Sequence, residues 1–469
     1  MEKLKILSEE ELLRIDQASR ALLWEVGVAC DDERCLEYYE KAGAEIDREN
    51  GMVHIPNSLI NKTLNMCASY VRLYDRRGGE PLIIGGDDVH FGSVGVASTV
   101  CDFETGMHRA VVSKDLEDFM KLGDVLERPE FFIAPASPTE VPSSIVDLVE
   151  TKIMLENTTK HIIVESQDDV NARKNIEMAS VVAGSFEEFK KRPFMSFLVT
   201  LTSPLHFRKD NGDVIIEGAK AGIPLIIESG PMAGGTGPVY LAGNLITANA
   251  ELLNAIVLAK AVNPDVPVVY CSWARILDMR STMCSHGGPE FGMQRAAIAQ
   301  LGKYYGLPTG GGAVLGDSKC VDVQLGFEKM GTGILPALAG LNMCFGMGVF
   351  ADENGIGLET LLADIEITGW IDRVLRGIEV TKETCDLAVF KEVGPGNDFV
   401  RTQQTISKYK EEQYIPLMMD RGFMAITTNP EEKNMKKRMH KLYPKLMAKY
   451  VGPQLSPEIS AKLEEIINR

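Results

Sequence analysis

The feature that most constrains the fold is a series of short apolar runs, each followed by a segment of helical length. Each run is bounded by Pro, Gly or Asp, and together they extend from residue 89 to residue 346. Such runs are typical of parallel strands that are buried on both faces. The predicted strands are 89–92, 131–134, 161–165, 195–202, 225–228, 268–271, 307–311 and 343–346.

The segments between and after these strands have the length and composition of helices. Helix-stop signals such as Gly222-Ile223-Pro224 lead directly into several of the strands. The predicted helices are 114–126, 144–157, 170–184, 213–221, 240–262, 291–305, 321–338 and 358–375.

Alternation of strands and helices over residues 86–376 predicts a (β/α)8 barrel, because eight such units close a barrel. An open doubly wound sheet is the alternative. That alternative is weakened by the sequence after the first strand, where no GxGxxG dinucleotide-binding motif occurs.

The two ends of the chain differ from this central pattern. Residues 1–85 predict a mixed region with an amphipathic helix at 8–26, a hairpin that turns at 49–51, and a second helix at 56–67. An insertion at 97–111 predicts another hairpin. Residues 377–469 predict a mostly helical extension on the barrel. Its basic part, 433–449, is typical of a solvated helix face but also suits docking to an acidic protein.

Charge and cysteine content exclude several classes of partner. Lys and Arg total 49 against 66 Asp and Glu, so the formal net charge is −17. Phosphates repel such a surface, which argues against nucleic acid or an anionic membrane as the main partner. The charge-free stretches 230–250 and 331–351 are broken by Gly and Asn and predict buried barrel segments. Nine cysteines without a CxxC pair, and no apolar leader, predict a cytoplasmic protein with reduced thiols.

A barrel places its active site at the carboxyl ends of the strands and in the loops that follow them. This rule selects candidate residues without any motif. The candidates are Phe91, Pro135, Glu165, Thr202, Glu228, Tyr270, Trp273, Gly310, Gly311, Phe345 and Met347.

Aromatic and acidic side chains dominate these candidates, which suggests a site for a cation. Trp273, one of three Trp residues in the chain, directly follows the sixth strand together with Tyr270. An aromatic face attracts a desolvated cation by about 0.5–2 kcal/mol, and Glu165 or Glu228 would add Coulomb attraction. The alternatives are ordinary packing for the aromatic rings and an ion pair with an Arg of a neighbouring strand for the carboxylates.

Two glycine-rich segments, 230–238 and 310–312, allow the backbone to approach a large flat ligand. We therefore predict that Gly234, Gly235, Gly310 and Gly311 form a low wall for a cofactor. Tight turns are the alternative. The segments lack the GxxxxGK[ST] form of a nucleotide-binding loop.

Metal and serine-nucleophile chemistry have little support in the sequence. The seven histidines form no HxH, HxxxH or HExxH motif, and no GxSxG elbow occurs. Cys284 and His286 form a close Cys/His pair, and Cys320 lies in a later loop. We expect no zinc in this protein.

A series of longer strings carries a resemblance that covers nearly the whole chain in order. The strings are 277–281, 288–291, 304–309, 316–319, 322–324, 326–328, 335–342, 375–380 and 392–396. They resemble the trimethylamine methyltransferase superfamily. The resemblance implies a barrel enzyme that passes a methyl group from a methylated amine to the Co(I) of a corrinoid carried by a separate small protein, with no cofactor held tightly by the enzyme itself.

The founding trimethylamine enzymes of this superfamily contain pyrrolysine, whereas this sequence contains only standard residues. An alignment by eye places Cys320 at the pyrrolysine position. The chain therefore resembles the non-pyrrolysine branch, whose substrates are quaternary amines such as glycine betaine, proline betaine or carnitine. Loss of a methyl group from a quaternary ammonium expels a neutral tertiary amine, so the reaction needs no general acid.

The resemblance and the barrel rule together give the predicted substrate site. Phe91, Glu228, Tyr270, Trp273 and Phe345 would form the wall of the pocket. Donors for the carboxylate of a betaine would be Arg275, Arg280 and His286. Two alternatives remain open, namely another methylated amine as substrate and a barrel that binds betaine without transferring a methyl group. The apolar loops also predict that the chain self-associates.

Overall fold

The computed structural model describes residues 3–425, 429 and 433–469. Its centre is a closed barrel of parallel strands that pair in chain order, and the last strand pairs with the first. The strands β1 to β8 are His90–Ser93, Phe131–Ile133, His161–Val164, Met195–Leu201, Leu225–Ser229, Val268–Ser272, Thr309–Gly312 and Met343–Met347.

A helix follows each barrel strand and covers its outer face. The helices α1 to α8 are Ser113–Val125, Val146–Asn157, Asp169–Ala183, Lys209–Ala221, Leu241–Val262, Pro289–Tyr304, Val323–Ala339 and Leu358–Arg376. A short additional helix, Phe186–Lys191, precedes β4. The predicted (β/α)8 barrel is confirmed, and each predicted helix is found within a few residues of its expected bounds.

Side chains of the strands alternate between the lumen and the helix layer, which gives two buried clusters. Ile226 and Val269 belong to the cluster inside the barrel, whereas Ile227 and Tyr270 belong to the cluster under the helices. The register between β5 and β6 pairs Ile227 with Tyr270 and Glu228 with Cys271. Glu228 therefore shares the inner face with Ile226, two residues before it.

The N-terminal region packs on the barrel through a small sheet. Its helices are Glu9–Glu25, Glu33–Ala42 and Asn57–Asn65, and its strands are Val28–Cys30, Glu45–Asp47, Met52–His54, Tyr70–Leu73 and Leu82–Gly85. A capping box at Ser8 begins the first helix as predicted. Sequence patterns missed the helix Glu33–Ala42 and the last two strands. Val28–Cys30 pairs with His206–Phe207 of the β4–α4 loop, so this region shares a sheet with the barrel.

Short strands in the loops cover the end of the barrel at which the strands finish, which we call the barrel mouth. The predicted insertion is a hairpin of Thr99–Cys101 and His108–Ala110. It joins Val349–Phe350 and Gly355–Ile356 in one sheet. A second sheet contains Met232–Ala233, Arg275–Leu277 and Cys284–Ser285.

The C-terminal region is less helical than predicted. Its described helices are Ala388–Val393, Gln403–Glu412, Met435–Met447 and Pro457–Asn468. Residues 377–402 and 413–425 are otherwise mostly turns and irregular chain, because glycines and prolines such as Gly394, Pro395 and Gly396 interrupt them. The region boundaries at residues 85 and 376 stay a prediction.

One described helix, Leu241–Val262, is long and apolar enough to cross a membrane by composition alone. Its most apolar window is 83% buried inside the protein, where it packs under the N-terminal region and against the barrel. This burial is what a core helix requires, and it accounts for the apolar composition without a membrane.

Candidate active site at the barrel mouth

The inner face of the strands brings two predicted aromatic residues together at the mouth. Trp273 follows β6 and is 5% exposed, and the centroid of its ring lies 5.5 Å from that of Phe345 in the middle of β8. Phe345 in turn contacts Phe131 at 5.1 Å between ring centroids. The three rings form a continuous apolar wall inside the barrel, as the alternation of strand residues requires.

Glycines of β7 make room for these rings. A Cβ at Gly310 would lie 3.3 Å from the ring of Phe345, and one at Gly312 would lie 3.0 Å from the Trp273 Nε1. The lack of side chains at Gly310 and Gly312 therefore leaves room for the rings of Phe345 and Trp273. Gly310 is thus buried beside Phe345, and its predicted role in a low wall for a cofactor stays a prediction.

Carboxylates lie beside the aromatic wall. Glu228 is 5% exposed, and its Oε1 has no hydrogen-bond partner among the described residues. Burial, with a smaller contribution from the neighbouring charges of Glu165 and Glu353, raises the pKa of Glu228 to about 7 against the opposing effect of Arg275. Burial also raises the pKa of Glu165, which accepts a 2.7 Å hydrogen bond from Thr200 Oγ1. The site thus holds carboxyl groups that disfavour one another's ionisation.

Glu353 belongs to this group, although sequence analysis did not include it. Trp273 Nε1 donates a 2.8 Å hydrogen bond to Glu353 Oε1. Glu353 lies in a turn after β8 in which Ala351, Asp352 and Glu353 have φ values of 54°, 59° and 64°. Three successive residues other than glycine in the left-handed region are uncommon and often occur at functional sites. The Asp-Glu-Asn-Gly sequence from 352 to 355 is a turn signal that marks this segment.

Gly230 is the position at which the charged groups and Trp273 meet. A Cβ there would lie 2.9 Å from Arg275 Nη1, 3.0 Å from Glu228 Oε1 and 3.3 Å from the Trp273 Cβ. Arg275 Nη1 donates a 3.3 Å hydrogen bond to the carbonyl of Trp273, and its buried Nε has no partner among the residues described. Glu228 Oε1 and the Arg275 guanidinium therefore lie close together beside Trp273, and each of the two side chains has one free polar atom.

Two of the predicted wall residues lie elsewhere. Tyr270 points into the helix layer, where its hydroxyl donates a 2.8 Å hydrogen bond to Asn249 of α5. Phe91 also faces outward, and the Arg128 guanidinium lies 4.9 Å from its ring centroid. The prediction that both residues line the pocket is therefore wrong. Successive residues of a strand point to opposite faces, and Phe91 and Tyr270 lie on the face that packs against the helices.

The remaining predicted residues occupy different surroundings. Gly234 and Gly235 are exposed in the loop after β5. A Cβ at Gly311 would meet the Ser272 carbonyl and Arg295 outside the aromatic wall. Cys320 is exposed in the loop after β7.

His286 is 3% exposed and lies against the turn after β8, where its Nδ1 is 2.6 Å from Asp352 Oδ1. Cys284 Sγ donates a 2.7 Å hydrogen bond to the other oxygen of the same carboxylate. The predicted Cys/His pair therefore has a third member from a distant part of the chain. No short sequence pattern relates these residues, since Asp352 is far from the other two along the chain.

Two cavities open beside Glu165. One of about 190 Å³ is lined by Glu150, Thr151 and Glu165, and one of about 360 Å³ is lined by Glu165, Thr200 and Asn211. Burial raises the pKa of Glu150 to about 8. These cavities give solvent and small molecules access to the acidic side of the site.

Aromatic faces and buried carboxylates in a site of low dielectric constant are suited to hold an organic cation. The free Arg275 Nε beside them is suited to hold an anionic group of the same molecule. The geometry therefore fits a small zwitterion or a small ammonium ion.

Several known proteins resemble this chain over most of its length. The family model described as trimethylamine methyltransferase (MTTB) matches residues 1–469. The trimethylamine methyltransferase MttB of Methanosarcina barkeri is 34% identical over 426 residues, which cover 89% of this chain and 86% of the relative. MttB of Desulfitobacterium hafniense (strain DSM 10664 / DCB-2) is 32% identical over 415 residues, with coverages of 88% and 83%.

Another relative carries a different name. The glycine betaine methyltransferase of Desulfitobacterium hafniense (strain Y51) is 30% identical over 422 residues, covering 90% of this chain and 88% of the relative. Among solved structures, the monomethylamine methyltransferase MtmB of Methanosarcina barkeri superimposes with a TM-score of 0.52 at 12% identity, covering 97% of this chain and 92% of that one. That structural likeness concerns the fold. The family match over the entire length shows that this chain belongs to the trimethylamine methyltransferase family.

Proposed function

We propose that this methyltransferase takes a methyl group from a quaternary amine that carries a carboxylate, such as glycine betaine, and delivers it to the Co(I) corrinoid of a partner protein. One observation carries the choice of substrate. The unpartnered Oε1 of Glu228 and the Nη1 of Arg275 both lie close to Gly230, beside Trp273, and the buried Nε of the same guanidinium has no partner among the described residues. A betaine has the matching pair of charges.

The aromatic wall suits the methylated end of such a molecule. A quaternary ammonium has no N–H to donate, so it is bound through ring faces and Coulomb attraction rather than hydrogen bonds. Trp273 and Phe345 supply the rings, and Glu228 supplies the negative charge. The Arg275 guanidinium is a fixed cation that a carboxylate tail would neutralise.

The reaction limits how strongly the pocket holds the cation. Positive charge disappears from nitrogen as the methyl group leaves, so tight binding of the ammonium alone would stabilise the substrate more than the transition state. Arg275 opposes the charge of Glu228 and moderates this attraction. The enclosed site then contributes mainly alignment of the methyl group and exclusion of water.

A protein partner would reach the site from the barrel mouth. Loops at that end expose large apolar side chains, and such patches are common at protein interaction sites. The exposed residues after β5 and β6 are Val239, Tyr240, Met279 and Met283. Gly234 and Gly235 lie in the same loop as Val239 and offer little steric obstruction to a corrinoid.

A protonated tertiary methylamine is the second candidate substrate. The free Oε1 of Glu228 would accept a hydrogen bond from its N–H, and relatives named for trimethylamine lie at similar identity to the one named for glycine betaine. This candidate leaves the free Nε of Arg275 without a partner, so the betaine is favoured.

The test is anaerobic incubation of the purified enzyme with a corrinoid protein reduced to Co(I) and a panel of donors. We expect glycine betaine, proline betaine or carnitine to convert the Co(I) absorbance to that of methyl-Co(III), and Glu228→Gln to slow the conversion. A response to trimethylamine but to no betaine would favour the second candidate. Calorimetric binding of a betaine without any spectral change would instead favour a binding protein.

A further inference from the structure

We propose that Cys284, His286 and Asp352 form a binding site for a divalent cation of the zinc type. The residues come from two segments of the barrel mouth, the loop after β6 and the turn after β8. The proposal concerns a site that methyl transfer to a corrinoid does not require, so it does not depend on the proposed substrate. It also revises our expectation from the sequence that zinc is absent.

The donor atoms are already gathered. One atom each from the thiol, the imidazole and the carboxylate lies within 4.8 Å of the other two. Asp352 Oδ1 is 2.6 Å from His286 Nδ1, and Asp352 Oδ2 is 2.7 Å from Cys284 Sγ. Sulfur, nitrogen and oxygen donors in this combination suit a borderline-soft ion such as Zn²⁺, and three protein ligands leave a fourth position for water or another ligand.

The unpaired atoms of the cluster point to a ligand. His286 is 3% exposed, yet neither of its ring nitrogens makes a hydrogen bond with any described residue. The short contact of Nδ1 with Asp352 Oδ1 lacks hydrogen-bond geometry, and that oxygen is unpaired as well. Buried polar atoms without partners cost free energy. A bound cation would accept a lone pair from a ring nitrogen of His286 and another from Oδ1 of Asp352.

The surrounding loop holds the ligands in place before any ion binds. The carboxylate of Asp317 accepts hydrogen bonds from the backbone N–H groups of His286, at 2.8 Å, and Gly287, at 2.9 Å. In the same loop, the Gly316 carbonyl accepts a 3.0 Å hydrogen bond from the Asp352 N–H. One segment thus fixes both halves of the cluster, and such support around the ligands is typical of metal sites.

An ion at this position would tie the loop after β6 to the turn after β8. Asp352 directly precedes Glu353, which accepts the hydrogen bond of the Trp273 indole. The ion would therefore hold Glu353 over the aromatic wall and keep the turn in its left-handed conformation. The ion's ligands would therefore act by positioning Glu353. None of the contacts described for Cys284, His286 and Asp352 involves Trp273 itself.

The first experiment is a Co²⁺ titration of the full-length protein, reduced and freed of metal by dialysis against chelator. We expect one equivalent of Co²⁺ to give a thiolate charge-transfer band and the visible bands of a tetrahedral site, and one equivalent of Zn²⁺ to abolish them. A wild-type protein that develops no such bands and retains no zinc after gel filtration would overturn the proposal.

Variants test which residues bind the ion. Cys284→Ser should lose the charge-transfer band, whereas Cys385→Ser, which removes an exposed cysteine far along the chain, should keep it. Zn²⁺ should raise the melting temperature of the wild type and of Cys385→Ser but not of Asp352→Asn. Unchanged bands in a folded Cys284→Ser protein would contradict the assignment. If Cys284→Ser does not fold, the sulfur neighbour in the X-ray absorption spectrum of the wild-type zinc form decides the question.

Discussion

Buried glutamates on the two sides of the barrel strands differ in their hydrogen bonding. Glu228 on the inner face and Glu251 of α5, behind the strands, are both buried, and burial raises the pKa of each to about 7. Glu251 accepts hydrogen bonds from Ser229 Oγ at 2.6 Å, Ser203 Oγ at 2.7 Å and the Leu205 N–H at 2.8 Å. Glu228 has a free oxygen. A raised pKa therefore marks burial, and the unpaired atom is what marks a site.

The aromatic residues at the end of β6 repeat this contrast. The Tyr270 hydroxyl donates a hydrogen bond to Asn249 in the helix layer, whereas the Trp273 indole lies in the barrel mouth and donates one to Glu353. A shift of β6 by one residue in register would turn its inward side chains outward, and the roles of Tyr270 and Trp273 would be exchanged. The following predictions test whether the inner and outer faces differ in function as they do in structure.

The largest effect is expected from Glu228→Gln. Loss of the charge should weaken binding of the best betaine donor at pH 8 by about 100-fold, or about 2.7 kcal/mol. This is less than the roughly 3–5 kcal/mol for breaking a buried ion pair, because Arg275 offsets part of the attraction. Glu251→Gln should change stability but leave the calorimetric affinity of the folded protein within about twofold. Equal losses in both variants would contradict the distinction between the two faces.

Trp273→Ala should give the next largest loss. A desolvated cation–π contact is worth about 2 kcal/mol, so the dissociation constant of tetramethylammonium or a betaine should rise roughly 30-fold. The matched variant on the outer face is Tyr270→Phe, which removes only the hydroxyl. It should lower the free energy of unfolding by about 1 kcal/mol without altering affinity. Fluorescence titration and urea unfolding measure the two quantities separately, and wild-type affinity in Trp273→Ala would remove this residue from the site.

The pKa of Glu228 predicts a pH-dependent difference in stability. Because the pKa is raised in the folded protein, from 4.5 to about 7, the ionised carboxyl destabilises the fold. The stability that the neutral carboxyl of Glu228 contributes is fully present below about pH 4.5. It is lost as the pH rises through 7 and the carboxyl ionises. Glu228→Gln should therefore be more stable than the wild type by about 3 kcal/mol at pH 8, and by less than about 1 kcal/mol at pH 5. Parallel stability profiles in urea would show that Glu228 does not titrate in this range.

Glycines of the loop after β5 offer a smaller, steric test. Gly230→Ala would place a methyl group against Glu228 and Arg275, and we expect a loss of affinity of about fivefold, or about 1 kcal/mol. A Cβ at Gly235 would meet only ordinary contacts of 3.5 Å or more. Gly235→Ala should therefore bind a betaine as the wild type does. The opposite ranking in calorimetry would mean that the ligand contacts the exposed part of the loop.

The smallest effect concerns Arg275, whose charge lowers the pKa of Glu228. Arg275→Gln should move the pH midpoint for binding of tetramethylammonium upward by about one unit, since an opposite charge is removed. Arg280→Gln alters an exposed residue of the same segment and should leave the midpoint unchanged. Tetramethylammonium is the suitable probe, because it lacks a carboxylate that would itself contact Arg275. A shift in Arg280→Gln alone would assign the role to the exposed arginine.

Much of the fold follows from local patterns in the sequence. The apolar runs and helix stops located every barrel strand and helix, because each strand must be buried on both faces and each helix must cover one. The less regular regions were harder to predict. The helix Glu33–Ala42 and the irregular chain after α8 depend on packing against the barrel rather than on a strong repeat.

The candidate site could be predicted only in part. Glu228, Trp273 and Phe345 lie on the inner face, while Phe91 and Tyr270 of the same predicted set face the helices. Strands buried on both sides have no alternation of polar and apolar residues, so their sequences do not reveal which residues point inward. The role of the inward residues in binding stays a prediction that the variants above test.

The sequence by itself determined the barrel and the family, because these depend on periodicity and on strings of adjacent residues, and it predicted a site at the carboxyl ends of the strands. Only the tertiary structure decided which side chains meet. It brings Glu353 to Trp273 and Asp352 to Cys284 and His286. The physical reason is that the segments after β6 and β8 belong to strands that do not pair with each other and meet only because both end at the barrel mouth, and no local pattern encodes that contact.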